Sequence, residues 1–206
     1  MIEDRQKSLF KRSDHANRGR SFELELMTVH DMYRMQGKAD IVKNPSEFIF
    51  ITERQYREKA GFYAPGMFAR TADGKCLMRS RSDIDFSGGG KGFSVTFDAK
   101  LCSDRHFPIA NIKVHQIIRL KQSARCGCIS GFLIKMEKYS RVFFIPVGYV
   151  DDRWVKLQMQ SGRRAKPGTA SLSIGDMEAN GTEILKDING LYNWLDRLVF
   201  IEEKIK

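Results

Sequence analysis

The sequence predicts an α/β domain in which helices and strands alternate around one core and a basic protrusion interrupts them. Three observations predict it. Apolar residues recur at steps of three and four at both ends of the chain: Phe22, Leu26, Val29 and Tyr33 near the start, Leu191, Trp194, Leu195 and Leu198 near the end. That is the helical period. Phe93–Lys100 instead alternates strictly, with Phe93, Val95, Phe97 and Ala99 on one face and Ser94, Thr96, Asp98 and Lys100 on the other, which is the strand period. Between Thr52 and Ser82 neither period holds, and cations mix with aromatic rings. At 206 residues and 42% apolar content the chain has enough to bury one core, so wholesale disorder is not expected.

The elements follow in order. Residues 1–16 are polar, charged and without apolar periodicity, and read as a flexible arm ahead of a single domain spanning 17–206. A helix runs from Asn17 to near Gly37, Asn44–Pro45 marks a turn, and Phe48–Ile51 reads as a short, deeply buried strand. The protrusion of residues 52–82 carries Arg54, Arg57, Lys59, Arg70, Lys75, Arg79 and Arg81 among Tyr56, Phe62, Tyr63 and Phe68, with turn signals at Pro65–Gly66 and Asp73–Gly74. Two strands joined by a glycine-rich turn, Gly88–Gly90 and then Lys91–Gly92, come next. The spacing is not that of a phosphate-binding P-loop. Residues 111–124 predict a helix with Val114, Ile117, Ile118 and Lys121 on one side, and 126–136 and 141–150 predict strands linked by a polar turn. A loop-rich stretch over 151–185 holds a basic patch at 162–168, and a last helix covers about 191–200.

Composition narrows the function classes. No apolar stretch approaches the ~18–20 residues that cross a bilayer, and the start, MIEDRQKSLFKR, lacks the apolar run of a secretory signal. The expectation is a cytoplasmic protein without a membrane partner. The 35 Lys and Arg outnumber 25 Asp and Glu, a formal charge of +10, which favours an anionic partner such as nucleic acid. Cys76, Cys102, Cys126 and Cys128 form no CxxC pair, and Cys126–Gly127–Cys128 reads as part of a buried strand. His15, His30, His106 and His115 are scattered, so zinc chemistry is not expected.

Asp83, Asp85, Asp98 and Lys100 carry the chemical signal. Period two puts Asp83 and Asp85 on one side of their strand, and Asp98 and Lys100 on one side of the next. If the strands pair, two or three carboxylates and an ammonium converge. Such a set suits a hard divalent cation, Mg²⁺ with Mn²⁺ able to substitute, held by few carboxylates and completed by water and phosphate. Phosphodiester hydrolysis uses those parts: Lewis acidity from the metal, and a lysine that stabilises transition-state charge or orients water. The competing reading of the same residues is a surface hairpin with a strand salt bridge, worth little.

The run DIDFSGGGKGFSVTFDAK resembles the active-site region of RecU-type Holliday junction resolvases, members of the PD-(D/E)xK nuclease superfamily. Asn17–Arg18–Gly19 with Glu23, Tyr33–Arg34 and Gly37 is similar to the family's first helix. His115–Gln116–Ile117, the stretch Arg141–Pro146, Gly162–Arg163–Arg164 and Asp196–Phe200 fall in the family's order. The resemblance spans roughly residues 17–200 and implies a restriction-endonuclease-like fold, a mixed central sheet flanked by helices with a protruding stalk. It implies Asp85 and Asp98 as metal ligands, with Asp83 as a further candidate, and Lys100, Glu23 and Gln116 as catalytic residues. The implied activity is Mg²⁺-dependent resolution of four-way junctions by a homodimer. The stalk would enter the crossover, and Arg18, Arg20, Arg54, Arg57, Lys59 and Arg70 would contact DNA.

The sequence departs from the family pattern at two positions. Asp98 stands where a glutamate is usual, and Asp83 where a threonine is common. Two other functions share most of these features: a nuclease of the same superfamily acting on flaps or duplex, and a non-catalytic DNA-binding recombination factor.

Overall fold

The computed structural model describes residues 2–45, 47–52, 54, 68–71, 74–80, 84–90, 92–159 and 170–198. Helix α1 (Ile2–Met35) is followed by strands β1 (Ala39–Lys43), β2 (Glu47–Ile51), β3 (Phe68–Thr71), β4 (Gly74–Ser80), β5 (Phe86–Gly90), β6 (Phe93–Cys102) and β7 (Phe107–Pro108). Then come helix α2 (Val114–Arg125), β8 (Ile129–Met136), β9 (Arg141–Pro146), helix α3 (Val147–Met159), β10 (Ser171–Leu172), helix α4 (Ile174–Asn180) and β11 (Thr182–Ile184). Residues 194–198 are helical again.

Six strands form the central sheet in the order β1-β5-β6-β8-β9-β11. Its pairs are antiparallel except β6 with β8, which run parallel with α2 as the connection between them, as a parallel pair requires. The expected mixed sheet is therefore present. β2, β4 and β3 form a separate antiparallel sheet, inserted between β1 and β5. β3 and β4 pair down to Thr71 with Gly74.

Alternation along the strands sends side chains to two cores. On one face, Phe22, Leu26, Val29 and Tyr33 of α1 pack with Ile41, Phe86, Val95, Phe97, Leu133 and Phe144, closed by Trp194, Leu195 and Leu198. On the other, Ile117 and Leu120 of α2, Val150 of α3 and Met177 of α4 cover Phe132, Ile134, Phe143 and Ile145. Each large side chain so buried contributes about 1.5–3 kcal/mol over leaving it in water. Among the described residues no helix is long and apolar enough to cross a membrane.

Several local expectations differ from the structure. Residues 2–16, read as an arm, belong to α1. Glu3, Arg5, Gln6, Lys7, Leu9, Lys11 and Arg12 favour a helix, and no glycine or proline intervenes before Gly19. β1 lies in a stretch to which the sequence assigns no element, because only Ala39 and Ile41 of its five residues are buried. Phe48–Ile51 pairs with β4 outside the central sheet, so the inserted sheet begins earlier than residue 52. Val142–Val150 divides into β9 and the start of α3, since Val147, Val150, Trp154 and Leu157 recur at helical steps. The loop-rich stretch accordingly holds most of α3, and also β10, α4 and β11.

Gly88, Gly89 and Gly90 are not the turn but the body of β5. A Cβ at Gly88 would lie 2.1 Å from the Asp40 carbonyl oxygen on β1, so the absence of a side chain lets the two backbones approach. The turn itself uses Gly92, at φ +82°. Cys126–Gly127–Cys128 caps α2 instead of entering a strand: the Cys128 N–H reaches back to the Ser123 carbonyl, and Cys126 is exposed. Val114 and Ile118 of α2 are likewise exposed, the buried side being Gln116, Ile117 and Leu120.

His30 is buried in a cage formed by the rings of Phe86, Phe97 and Trp194, with centroids 5.0, 6.0 and 5.5 Å away. Neither ring nitrogen has a hydrogen-bond partner. Burial, with Arg34 assisting, lowers its pKa from 6.5 to about 4. The folded state therefore holds a neutral imidazole that the unfolded chain protonates, and stability falls as pH drops from about 6.5 through about 4. We expect His30→Leu to remove this dependence. The melting temperature of the wild type relative to the variant should drop by several degrees between pH 7 and pH 4.5; parallel curves would refute it.

Candidate active site

Asp85 stands at the entry to β5, while Asp98 and Lys100 share one face of β6. The register pairs Phe86 with Phe97, which brings Asp85 level with the Asp98–Ala99 segment. The Ala99 N–H donates to Asp85 Oδ2 at 2.9 Å. Asp98 has no exposed surface. Its Oδ1 accepts from Gln116 Nε2 at 2.7 Å, and its Oδ2 faces the Lys100 ammonium in an ion pair without an aligned hydrogen bond.

Gln116 occupies the first turn of α2. Its Oε1 accepts from the Lys113 N–H at 3.0 Å, closing the helix N-terminus, so the NH₂ end is the one that faces Asp98. The residue serves as a helix cap and as the partner of a buried carboxylate. Ile117 and Leu120 anchor the same helix in the core and keep the amide in place.

The electrostatics of Asp98 reflect this enclosure. Burial raises its pKa from 3.8 to about 7, the Lys100 charge opposes the rise, and the Asp85 charge adds to it. An anion deprived of water and pressed by a second anion is poorly balanced by one lysine. Among the described residues, no three His, Cys, Asp or Glu side chains group to hold a metal ion.

The remaining predicted residues are dispersed. Glu23, on α1, pairs with Lys43 at the end of β1, and Lys43 pairs in register with Phe86 beside Asp85. Glu23 is thus at the margin of the cluster, tied to a cation that carried no sequence signal. Arg20 and Arg54 are exposed. Asp83, Arg57 and Lys59 lie outside the described residues, as do the side chains of Arg18 and Arg70. Asn44, read only as part of a turn, forms three hydrogen bonds around Asp85: its N–H to the Asp85 carbonyl at 2.7 Å, its Nδ2 to the Ile84 carbonyl at 3.2 Å, and its Oδ1 from Ser87 Oγ at 2.7 Å.

The sequence matches the family described as Recombination protein U over residues 17–199. The chain belongs to the RecU family. Among its relatives is the Holliday junction resolvase RecU of Lacticaseibacillus casei strain BL23, 24% identical over 190 residues, covering 92% of this chain and 83% of that protein. The Holliday junction resolvase RecU of Lactobacillus delbrueckii subsp. bulgaricus is 26% identical over 179 residues, covering 86% and 77%. That of Bacillus cytotoxicus is 24% identical over 178 residues, covering 86% and 80%. The matched span of the RecU family contains the whole Asp85–Asp98–Lys100–Gln116 cluster and nearly coincides with the stretch over which the motifs recur.

The sign of the Asp98 shift gives a test. A carboxyl whose folded pKa is raised stabilises the fold in its protonated state, so its contribution is complete below about 4 and is lost as pH rises through about 7. In metal-free buffer, Asp98→Asn should become progressively more stable than the wild type between pH 5 and pH 8, by several degrees in melting temperature. A difference that does not change with pH would contradict the buried-carboxylate assignment.

Proposed function

We propose that this protein is a structure-selective endonuclease that resolves Holliday junctions by Mg²⁺-dependent phosphodiester hydrolysis, with Mn²⁺ able to substitute. The observation that carries the reading is the fully buried Asp98, bonded to Gln116, facing Lys100 and pressed by Asp85, in a chain whose RecU relatives are named as Holliday junction resolvases. The donor set fits a hard divalent cation. Asp98 Oδ2 is a buried oxygen with no aligned hydrogen bond, and burial, opposed by the Lys100 charge and assisted by Asp85, raises the pKa of Asp98 to about 7, a loss of hydration that a cation would offset. Asp85 and Asp98 would hold it, with water and phosphate completing the shell as Mg²⁺ prefers. Asp83 is a further candidate ligand.

Bound there, the cation supplies Lewis acidity toward a phosphoryl oxygen and lowers the pKa of nearby water. The chain's own residues do the rest. Gln116 keeps Asp98 Oδ1 engaged so that Oδ2 is left on the Lys100 side, and the Ala99 N–H aligns Asp85. Lys100 places a positive charge where the phosphorane gains negative charge, and it works as an electrostatic and orienting group. Glu23, tethered by Lys43, would hold a water molecule at the margin.

The inserted β2-β4-β3 sheet is the stalk that enters the junction. Arg18, Arg20, Arg54, Arg57, Lys59 and Arg70 contact phosphates and so read branched shape more than sequence. A four-way junction has near two-fold symmetry and needs two nicks, so two copies of the chain supply one site each as a homodimer.

The wild type with Mg²⁺ should place paired, symmetric nicks in synthetic four-way junctions and leave linear duplex and flaps uncut. Asp85→Asn and Lys100→Ala should each lower the nicking rate at least about 100-fold while junction affinity stays within about threefold. Cutting concentrated on flaps or duplex ends would replace junctions as the substrate, and tight binding without cutting in either metal would overturn the enzymatic reading. Shortening the β3–β4 hairpin should abolish junction nicking but spare duplex binding. Undiminished junction nicking would remove the stalk from the mechanism.

A further inference from the structure

We propose that Asn44 is a positioning residue for Asp85, fastening the Ile84 and Asp85 carbonyls and the Ser87 hydroxyl so that the carboxylate stays in the place a cation requires. The inference rests on the nuclease reading above and extends it to a residue that no sequence motif marks. Asn44 comes one step after the pairing of Lys43 with Phe86, which sets it opposite Asp85. Its main-chain N–H donates to the Asp85 carbonyl at 2.7 Å. Its side chain then spans the neighbours, Nδ2 donating to the Ile84 carbonyl at 3.2 Å and Oδ1 accepting from Ser87 Oγ at 2.7 Å.

The partners decide the orientation of the amide. The Ile84 carbonyl only accepts, so the NH₂ must face it, and the oxygen is left for the Ser87 hydroxyl. One residue thereby fastens positions 84, 85 and 87, while the Ala99 N–H holds Asp85 Oδ2 from the opposite strand at 2.9 Å. Asp85 is gripped from β1 and from β6 together. Neither aspartate, alanine nor leucine at position 44 reproduces both side-chain bonds.

The location explains why such a clamp is needed. Asn44 stands where the chain leaves the central sheet for β2, and Ile84 where it returns after β4. Without a fastening, the two crossings at the root of the inserted sheet would carry its displacements directly to Asp85. The Asn44 bonds join the departing and returning chain, so Asp85 keeps its place while the inserted sheet engages DNA. Partners that orient a metal ligand in this way typically account for about 10–100-fold in metal affinity.

The test compares wild type, Asn44→Ala and Ser87→Ala, with Asp85→Asn as the control that lacks the ligand. Mn²⁺ binding to the DNA-free protein is read from the paramagnetic resonance signal of the free ion. The Mg²⁺ concentration for half-maximal junction nicking, and junction affinity in EDTA, are measured alongside. Asn44→Ala should weaken Mn²⁺ binding about tenfold and raise the Mg²⁺ midpoint by the same factor. Its junction affinity should stay within about twofold, and saturating Mg²⁺ should restore most of the rate. Ser87→Ala, which keeps the bond to Ile84, should shift both midpoints about threefold. Midpoints of Asn44→Ala within twofold of wild type overturn the proposal, even if the variant melts lower or is less active at every Mg²⁺ concentration, since that is what loss of an ordinary turn would do. If Asn44→Ala does not fold, Ser87→Ala decides, and unshifted midpoints overturn the proposal. A wild type that neither binds Mn²⁺ nor nicks overturns the nuclease reading itself, a failure visible before any variant is compared.

Discussion

Asp98 lies on the second strand of the β5–β6 hairpin with no surface in contact with solvent, one oxygen accepting from Gln116 and the other facing Lys100. Removing a carboxylate from water is costly unless donors or opposite charge replace the lost hydration. The groups that replace it come from different parts of the chain: the amide from the first turn of α2, and the ammonium from two residues along β6. Asp85 reaches the same place by way of the Ala99 N–H. Each of these elements is itself pinned by core packing, Gln116 through Ile117 and Leu120, Asp98 through Val95, Phe97 and the neighbouring β8. The position of the carboxylate is therefore set by two cores on opposite sides of one sheet.

That arrangement also explains why the glycines of β5 are spent inside a strand. Close approach of β1 to β5, with the Asp40 carbonyl where a Gly88 side chain would sit, brings Lys43 and Asn44 alongside Asp85 at the entry of β5. Glu23 joins through Lys43. The margin of the site is thus built from α1 and β1, and its floor from β6 and α2. The inserted sheet opens between β1 and β5, at the margin where Asp85 is held. On the proposed function, the branched-DNA probe and the cleavage site would share one root.

How much of this was legible follows from the range of each interaction. The face shared by Asp98 and Lys100 is a matter of period two within one strand, so it could be read directly. The helix of Phe22, Leu26, Val29 and Tyr33 was legible for the same reason, all four falling in one core. β1 was not, because Ala39 and Ile41 alone among its five residues are buried, too few to form a pattern. The division of Val142–Val150 into strand and helix was hidden because a continuous apolar run satisfies both periods. Cys126–Gly127–Cys128 looked apolar enough for a strand, yet a helix end with Gly127 at φ +86° uses the same residues as a cap.

Local periodicity and residue chemistry, available to the sequence alone, determined the α/β class, the basic character that calls for an anionic partner, and the placing of Asp98 and Lys100 on one face of a strand. Tertiary structure alone decided that Asp98 is buried, that Gln116 is both cap and partner, that Glu23 is tied to Lys43 and that Asn44 grips Asp85. These contacts join residues 18, 20 and about 40 positions apart. No local rule reaches that far, because such pairs exist only once helix and sheet have packed and the backbones have closed upon each other.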